Sequence, residues 1–371
     1  MRIPLLDLKA QYRQIREEVM SAVQAVFDSQ QFILGRTVEE LECRIAEYCG
    51  TSSAVGVSSG TDALLICLMA EGIGPGDEVV TTPFTFFATA GSIARTGARP
   101  VFVDIEENSF NINPDLLPEA VSGNTRAVIA VHLFGRMCEV EEIRGLCTER
   151  GLILIEDAAQ AIGAESGGRR AGSVGEYGCL SFFPTKNLGG AGDGGMVLTS
   201  DARRADLLRS LRNHGAVQRY FHEKIGGNFR LDAVQAAVLG VKLKYLDRWI
   251  EMRRANADRY ARLFRESGLV DAGLVSLPDP GTGRHVFHQY VIRAHHRDAL
   301  REYLREKGVG CEIYYPLPLH LQKCFRHLGY RRGDFPVSEK AAAEVLALPM
   351  YPELTDEQAE YVVAAVRDFY G

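Results

Sequence analysis

From about residue 53 the chain alternates short β-branched runs with stretches of helical periodicity. The runs are Ala54-Val55-Gly56-Val57, Glu78-Val79-Val80-Thr81, Pro100-Val101-Phe102-Val103, Ala127-Val128-Ile129-Ala130-Val131 and Leu152-Ile153-Leu154-Ile155. Continuous apolar runs of this length are buried on both faces, and the helices between them are the crossovers that parallel pairing needs. The pattern predicts a parallel α/β sheet covered on both sides. Two further runs, Leu180-Ser181-Phe182-Phe183 and Met196-Val197-Leu198-Thr199, lie only a loop apart. Ahead of the sheet, Tyr12, Ile15, Val19, Val23 and Val26 recur at steps of three and four, which predicts an amphipathic helix over 10–28. Thr37 with Glu40 reads as a capping box opening a second helix through Leu41, Ile45 and Tyr48.

Beyond residue 230 a long helical stretch carries Leu243, Leu246, Trp249, Ile250, Tyr260, Leu263 and Phe264 on one stripe, with Trp249 read as core or as a seam between two copies. The break Pro278-Asp279-Pro280-Gly281-Thr282-Gly283 marks a linker or long loop. After it, a strand at 288–292, a helix near 297–307 and a strand at Val309–Ile313 predict a smaller α+β unit. The expected division is a large domain over 1–245 and a long helix with a small C-terminal domain over 246–371. A chain of 371 residues, 46% of them hydrophobic, can build such cores without disulfide or metal staples. The net charge of −6 comes from signs mixed along the chain, with no basic stripe of the kind nucleic acids require. Eight cysteines without a C-x-x-C pair read as reduced thiols, and no apolar run is long enough for a leader or a membrane span, so the expected compartment is the cytoplasm. Glycine, at 37 residues, is in excess, which suggests tight turns or close backbone approaches to a ligand.

In open α/β sheets ligands bind outside the carboxyl ends of the strands, and four such ends here carry polar or aromatic groups. Val57 leads through Ser58-Ser59-Gly60-Thr61-Asp62 into the helix Ala63–Ala70, either an anion site at a helix N-terminus or ordinary capping by Ser59 or Thr61. Thr81-Thr82-Pro83 leads to Phe84, with Phe86 and Phe87 behind it, either a ring that stacks on a flat ligand or core packing. Leu152–Ile155 ends in Glu156-Asp157-Ala158-Ala159-Gln160, where a carboxylate behind a buried strand needs a cation or a helix to cap. Leu180–Phe183 runs into Pro184-Thr185-Lys186-Asn187, and a lysine buried there would have a depressed pKa and a nucleophilic amine. Together these are the requirements of pyridoxal phosphate: an amine for its aldehyde, a carboxylate for its ring nitrogen, a phosphate cradle and a flat cover.

The blocks Ser59-Gly60-Thr61-Asp62-Ala63-Leu64, Gly74-Pro75-Gly76-Asp77-Glu78-Val79, Glu156-Asp157-Ala158-Ala159-Gln160 and Ser181-Phe182-Phe183-Pro184-Thr185-Lys186-Asn187-Leu188-Gly189 closely resemble the nucleotide-sugar aminotransferases of the DegT/StrS type, pyridoxal phosphate enzymes of fold type I. The resemblance continues through Gly192-Asp193-Gly194-Gly195, Asn228-Phe229-Arg230-Leu231-Asp232 and Tyr315-Pro316. It implies an aspartate aminotransferase-like large domain with a mixed, mainly parallel sheet and a small α+β C-terminal domain. It also implies that Lys186 is the cofactor lysine and later the proton carrier, that Asp157 holds the ring nitrogen protonated, that Gln160 contacts the ring hydroxyl and that Phe84 stacks on the ring. Ser181, Gly60 and Thr61 would bind the phosphate. Asn228 would reach the phosphate of a neighbouring subunit, making the unit a homodimer with a shared site, and Arg230 and Tyr315 would lie near the substrate. Glutamate would be the amino donor and a nucleotide-linked keto sugar the acceptor, in polysaccharide or related sugar biosynthesis. The N-terminal blocks Leu5-Leu6-Asp7-Leu8 and Gln31-Phe32-Ile33-Leu34-Gly35 lean towards members that aminate a 3-keto sugar. A C4-keto sugar, a cyclitol, a dehydratase of the same fold and a non-catalytic regulator that binds the cofactor or a nucleotide sugar are the alternatives. Against the dehydratases, a lysine rather than a histidine stands at 186.

Three other patterns have simpler explanations. Gly190–Gly195 satisfies G-x-G-x-x-G but precedes a strand, so no helix N-terminus follows to meet a pyrophosphate. His285-x-x-His288 and His295-His296 lack a companion cluster of cysteines or carboxylates, so they are read as surface or packing residues with no metal expected. Gly227 and Cys138-Glu139 depart from residues common in the family, away from the cofactor positions.

Overall fold

A computed structural model describes residues 1–371. Helices α1 (Leu8–Ser29) and α2 (Arg36–Cys49) precede a seven-stranded sheet of β1 (Ser53–Val57), β2 (Glu78–Thr81), β3 (Arg99–Phe102), β4 (Thr125–Val131), β5 (Ile153–Asp157), β6 (Tyr177–Ser181) and β7 (Gly195–Thr199). The spatial order is β1-β7-β6-β5-β4-β2-β3. Pairs among β3, β2, β4, β5 and β6 are parallel, whereas β7 runs antiparallel to both β6 and β1. The exception follows from connectivity: the β6–β7 link is a loop that returns without crossing the sheet, and parallel neighbours need a full crossover. The sheet is therefore mixed and mainly parallel.

Between the strands lie α3 (Gly60–Ala70), α4 (Ala88–Thr96), α5 (Val140–Arg150) and, after β7, α6 (Ala202–Leu211). Successive residues of each strand point to opposite faces, and the core divides accordingly. Ala54, Val80, Val128, Leu154 and Leu198 pack with α2 and α5, while Val55, Val79, Ile129, Ile155 and Val197 pack with α3 and α6. The capping box expected at Thr37 does not form. The chain turns into α2 at Gly35 (φ +79°), one residue ahead of Arg36, whose side chain pairs with Glu40 at 2.6 Å. That pairing takes the carboxylate the box would have used.

The long helical stretch is two helices, α7 (Ala233–Leu243) and α8 (Leu246–Glu266). Trp249 lies in a core with Ile15, Val19, Val238 and Val241, so it joins α8 to α1 and α7. The C-terminal part contains β8 (Val275–Ser276), β9 (Tyr290–Ala294), α9 (Arg297–Glu306), α10 (Pro336–Glu344), β10 (Val345–Leu348) and α11 (Asp356–Tyr370), with the three strands antiparallel in the order β8-β9-β10. The strand expected at 309–313 is not one. Val309 instead forms a parallel bridge with Ile3, and Glu312 bridges Ala347. The N–H of Ile3 donates to the Gly308 carbonyl at 2.9 Å and the N–H of Gly310 to the Ile3 carbonyl at 2.8 Å. Ile3 is fully buried in the C-terminal core, so the first residues of the chain belong with its last hundred, a departure from the expected division at 246. No helix is long and apolar enough to cross a membrane.

Candidate active site

The carboxyl ends of β1, β5 and β6 converge on a cavity of about 450 Å³. Gly60, Thr61, Asp157, Gln160, Ser181, Lys186 and Tyr315 all line it. At its floor, α3 begins with Ser59 as N-cap, its Oγ accepting from the Asp62 N–H at 3.0 Å. The N–H groups of Gly60 and Thr61 lie in the first turn and have no partner within the helix. The backbone here is packed too closely for side chains. A Cβ on Gly60 would stand 2.7 Å from Cβ of Ser181, and one on Gly195 would stand 2.4 Å from the Ser59 carbonyl. Bare N–H groups, a helix dipole and the Ser181 hydroxyl beside them form a cradle for an anion.

Asp157, the last residue of β5, is buried. Thr89 Oγ1 donates to its Oδ2 at 2.8 Å and the Ala159 N–H to Oδ1 at 3.3 Å. Burial lifts its pKa above the ordinary carboxylate value, against the hydrogen bonds from Thr89 and Ala159 and the charge of Lys186. A carboxylate in that state gains most from a cation placed in the cavity. Lys186 sits in the loop after the adjacent strand β6. Burial brings its amine down to about 8, with Asp157 opposing the shift. The loop is fastened from behind by α7: Lys242 Nζ donates to the Gly189 carbonyl at 2.6 Å and Gln235 Oε1 accepts from the Ala191 N–H at 2.7 Å. Gly190–Gly195 thus serves as the wall of this cavity, with Gly194 lining it and β7 starting at Gly195.

Gln160 is fixed at both ends. Its Oε1 accepts from the Phe134 N–H at 2.7 Å, and its Nε2 donates to Tyr315 Oη at 3.1 Å. Asn228 and Arg230 do not line the cavity. Asn228 is exposed and bridges the backbone of Asn213, while Arg230 Nη1 donates to Asn213 Oδ1 at 2.8 Å.

One assignment is corrected. Phe84 is fully buried, 6.0 Å from Phe110 and 6.2 Å from Tyr315 between ring centroids, and it does not face the cavity. The phenylalanine of this turn that lines the cavity is Phe86, 55% exposed and 6.2 Å from Tyr315. The strand β2 ends at Thr81, and the turn through Pro83 aims Phe84 inward at the C-terminal core and Phe86 outward. Residues missed from the sequence also line the site: Thr85, Phe183, Asp193, His288, Gln289 and Tyr314. His288 and Gln289 come from the chain just ahead of β9, and the sequence reads His288 only as a surface or packing residue.

Directly before Asp157, Glu156 is fully buried and accepts from His132 Nε2 (2.8 Å) and the N–H groups of Gly172 (2.9 Å), Val174 (2.6 Å) and Gly175 (2.7 Å). Burial would raise its pKa, but these donors outweigh it and hold the carboxylate below its ordinary value. Glu156→Gln puts an amide NH₂ among donors and is expected to destabilise the protein by about 3 kcal/mol, read from urea unfolding midpoints.

Comparison with known proteins agrees with this chemistry. Residues 13–367 match the model of the DegT/DnrJ/EryC1/StrS aminotransferase family. The chain is 51% identical, over all of its length and 99% of the relative's, to a pleiotropic regulatory protein of Geobacillus stearothermophilus. It is 43% identical, over 98% of its length and 97% of the relative's, to the UDP-N-acetyl-3-dehydro-alpha-D-glucosamine 3-aminotransferase of Acidithiobacillus ferrooxidans. The crystal structure of DesV from S. venezuelae in complex with a ketimine intermediate superposes with a TM-score of 0.94 at 42% identity, covering 99% of this chain and 98% of that one. With the anion cradle, the buried carboxylate and the half-buried lysine in one cavity, the protein is a pyridoxal phosphate-dependent enzyme and belongs to the DegT/DnrJ/EryC1/StrS aminotransferase family.

Proposed function

We propose that this chain transfers an amino group from glutamate to the C3 ketone of a sugar carried on a nucleotide. The observation that carries the reading is the pairing of a buried, cation-seeking Asp157 with a half-buried Lys186 whose amine is brought down to about 8, in one cavity floored by a helix N-terminus. The cavity fits pyridoxal phosphate: Gly60, Thr61 and Ser181 would receive the phosphate, Asp157 the protonated ring nitrogen, Gln160 the ring hydroxyl and Phe86 the ring face. When bound, the cofactor supplies the electron sink that lets a donor's α-proton leave. Lys186 would take that proton on Nζ and return it to the acceptor's carbon. Thr89 and the Ala159 N–H keep Asp157 aimed, and Tyr315 keeps the Gln160 amide from turning.

Substrate identity rests on the relatives. The 3-aminotransferase from Acidithiobacillus supports a C3 ketone, and its name supports a UDP carrier. Glutamate as donor follows the family resemblance. The loaded protein is expected to be yellow, to bleach with glutamate, and to regain colour with the accepting keto sugar. A panel of UDP-, dTDP- and GDP-linked keto sugars read by mass identifies the acceptor, and no bleaching with any amino acid would defeat the reading. A regulatory role is the second reading, since the Geobacillus relative carries that name. A binder has no use for a lysine held near neutrality beside a buried carboxylate, which is why catalysis is preferred.

The uptake of pyridoxal phosphate by cofactor-free protein should rise with pH. An amine with a pKa of about 8 is roughly a tenth neutral at pH 7 and roughly nine-tenths neutral at pH 9. Stopped-flow absorbance between these values is expected to show about a tenfold acceleration. A flat profile would mean that Lys186 is not the reacting amine.

The functional unit we infer is a homodimer in the cytoplasm. Asn228 is exposed, and the preceding segment presents Val217, Tyr220, Phe221 and Ile225, the last 91% exposed, as an apolar face that a second copy would cover. Eight unpaired thiols support a reducing compartment. Mixing Lys186→Ala with Asn228→Ala is expected to restore activity in hybrid dimers that neither variant shows alone. Additive residual rates with no recovery would place Asn228 outside the partner's site.

A further inference from the structure

The side chains behind Lys186 fix one histidine in a single hydrogen-bonding state. Asn187 is buried and donates from Nδ2 to the Val286 carbonyl at 3.1 Å. A carbonyl only accepts, so the amide orientation is set, and Oδ1 faces His288 Nδ1 at 3.2 Å. Oδ1 also only accepts, so His288 Nδ1 carries the hydrogen. The backbone of this segment is held by Arg253 of α8, whose Nη1 donates to the carbonyls of Phe287 (3.2 Å), His288 (3.3 Å) and Met350 (2.9 Å). His288 is buried and shares the cavity wall with Lys186.

The charged groups around the imidazole are Lys186 from the loop and Arg253 from α8, both cationic, with Asp157 beside Lys186 and Glu353 beside Arg253. The phenols of Tyr314 and Tyr315 stay neutral, raised by burial. Burial, then Lys186 and Arg253, push His288 well below its ordinary pKa. The ring is therefore neutral at pH 7, with a free lone pair on Nε2, and can only accept there.

We propose that His288 is a positioning residue for Lys186, its Nε2 accepting a hydrogen from the free amine so that the amine's lone pair turns to the reacting carbon. A neutral amine has two N–H bonds and one lone pair. A partner that only accepts engages an N–H and leaves the lone pair able to take a proton, whereas a donor would occupy the lone pair itself. A backbone carbonyl, through one asparagine, thus sets the basicity available at the lysine. The inference rests on Lys186 being the proton carrier.

Asparagine at 288 reaches about as far as Nδ1 and glutamine about as far as Nε2. His288→Asn keeps the bond to Asn187 and removes the acceptor; His288→Gln keeps an acceptor and loses that bond. In single-turnover bleaching of the loaded protein by glutamate, His288→Asn is expected to slow the rate by about 10²-fold, with His288→Gln recovering most of it. The reverse order would show that the bond to Asn187, and not the acceptor, is what matters, and would overturn the proposal. Asn187→Asp favours the imidazolium and turns Nε2 into a donor. It should add an acidic limb to the bleaching rate, and ¹⁵N NMR of the protein should show His288 passing from one N–H to two. A wild-type spectrum with the hydrogen on Nε2 overturns the proposal whatever the rates. If Asn187→Asp does not fold, the two His288 variants decide. If Lys186→Ala still bleaches with glutamate, the reading of Lys186 itself has failed, independently of His288.

Discussion

Lys186→Ala is expected to abolish the glutamate-dependent bleaching of the bound cofactor, slowing it by about 10⁴-fold, in a protein that still folds. No other lysine lines the cavity, so nothing can take over either the bond to the cofactor's aldehyde or the transfer of the proton. Positioned acid–base groups contribute about 10²–10⁴-fold, and loss of the covalent anchor adds to that. Stability should move the other way. The amine's pKa is lower in the folded chain than in the unfolded one, so between about 10.5 and about 8 the unfolded chain holds more protons, and the penalty for burying the lysine builds as pH falls across that window and is complete below it. Removing it should leave the cofactor-free protein as resistant to urea at pH 7 as the wild type, or more so. Bleaching at an undiminished rate would sink the assignment; a fall in both rate and stability would show that the lysine holds the loop.

Asp157→Asn is expected to lower the same half-reaction by about 10³-fold and to weaken retention of pyridoxal phosphate, measured by dialysis and absorbance. The amide keeps the shape and can still accept from Thr89, but it carries no charge to hold a proton on a ring nitrogen. For this carboxyl the folded pKa is raised, so the folded chain holds its proton to higher pH than the unfolded one, and stability is lost as pH rises through the folded value. In cofactor-free protein at neutral pH the substitution should therefore cost nothing. The neighbouring Glu156 gives the contrast: it is saturated with donors, its pKa is lowered, and its replacement should destabilise the protein without bearing on the cofactor. Two adjacent carboxylates at the end of β5 are thus separated by which face of the sheet each one points to.

Much of this site was legible in the chain because a strand end is a local feature. A β-branched run stops, and the residue that follows it, Asp157 or Lys186, lies at the sheet's carboxyl edge whatever the rest of the fold does. The same holds for Gly60, whose neighbours in sequence make the start of α3. Phe84 and Phe86 were not separable on that basis. Both follow the same strand, and the choice between them is made by Phe110 and Tyr315, which pack against Phe84 from far along the chain. The Thr37 box failed for a related reason, since Gly35 started the helix earlier and Arg36 claimed Glu40.

The alternation of runs and helices dictated a covered, mainly parallel sheet, and the residue types at its strand ends dictated a pyridoxal phosphate site, because period and chain termination act over a few residues. Long-range packing settled the rest. It joined Ile3 to the C-terminal sheet, turned Phe86 instead of Phe84 to the cavity, and brought His288 to the lysine's side with one nitrogen left bare. The first and last of these depend on groups about a hundred or more residues apart meeting within hydrogen-bond distance, and the second on rings packed against Phe84, and no short window of sequence contains those meetings.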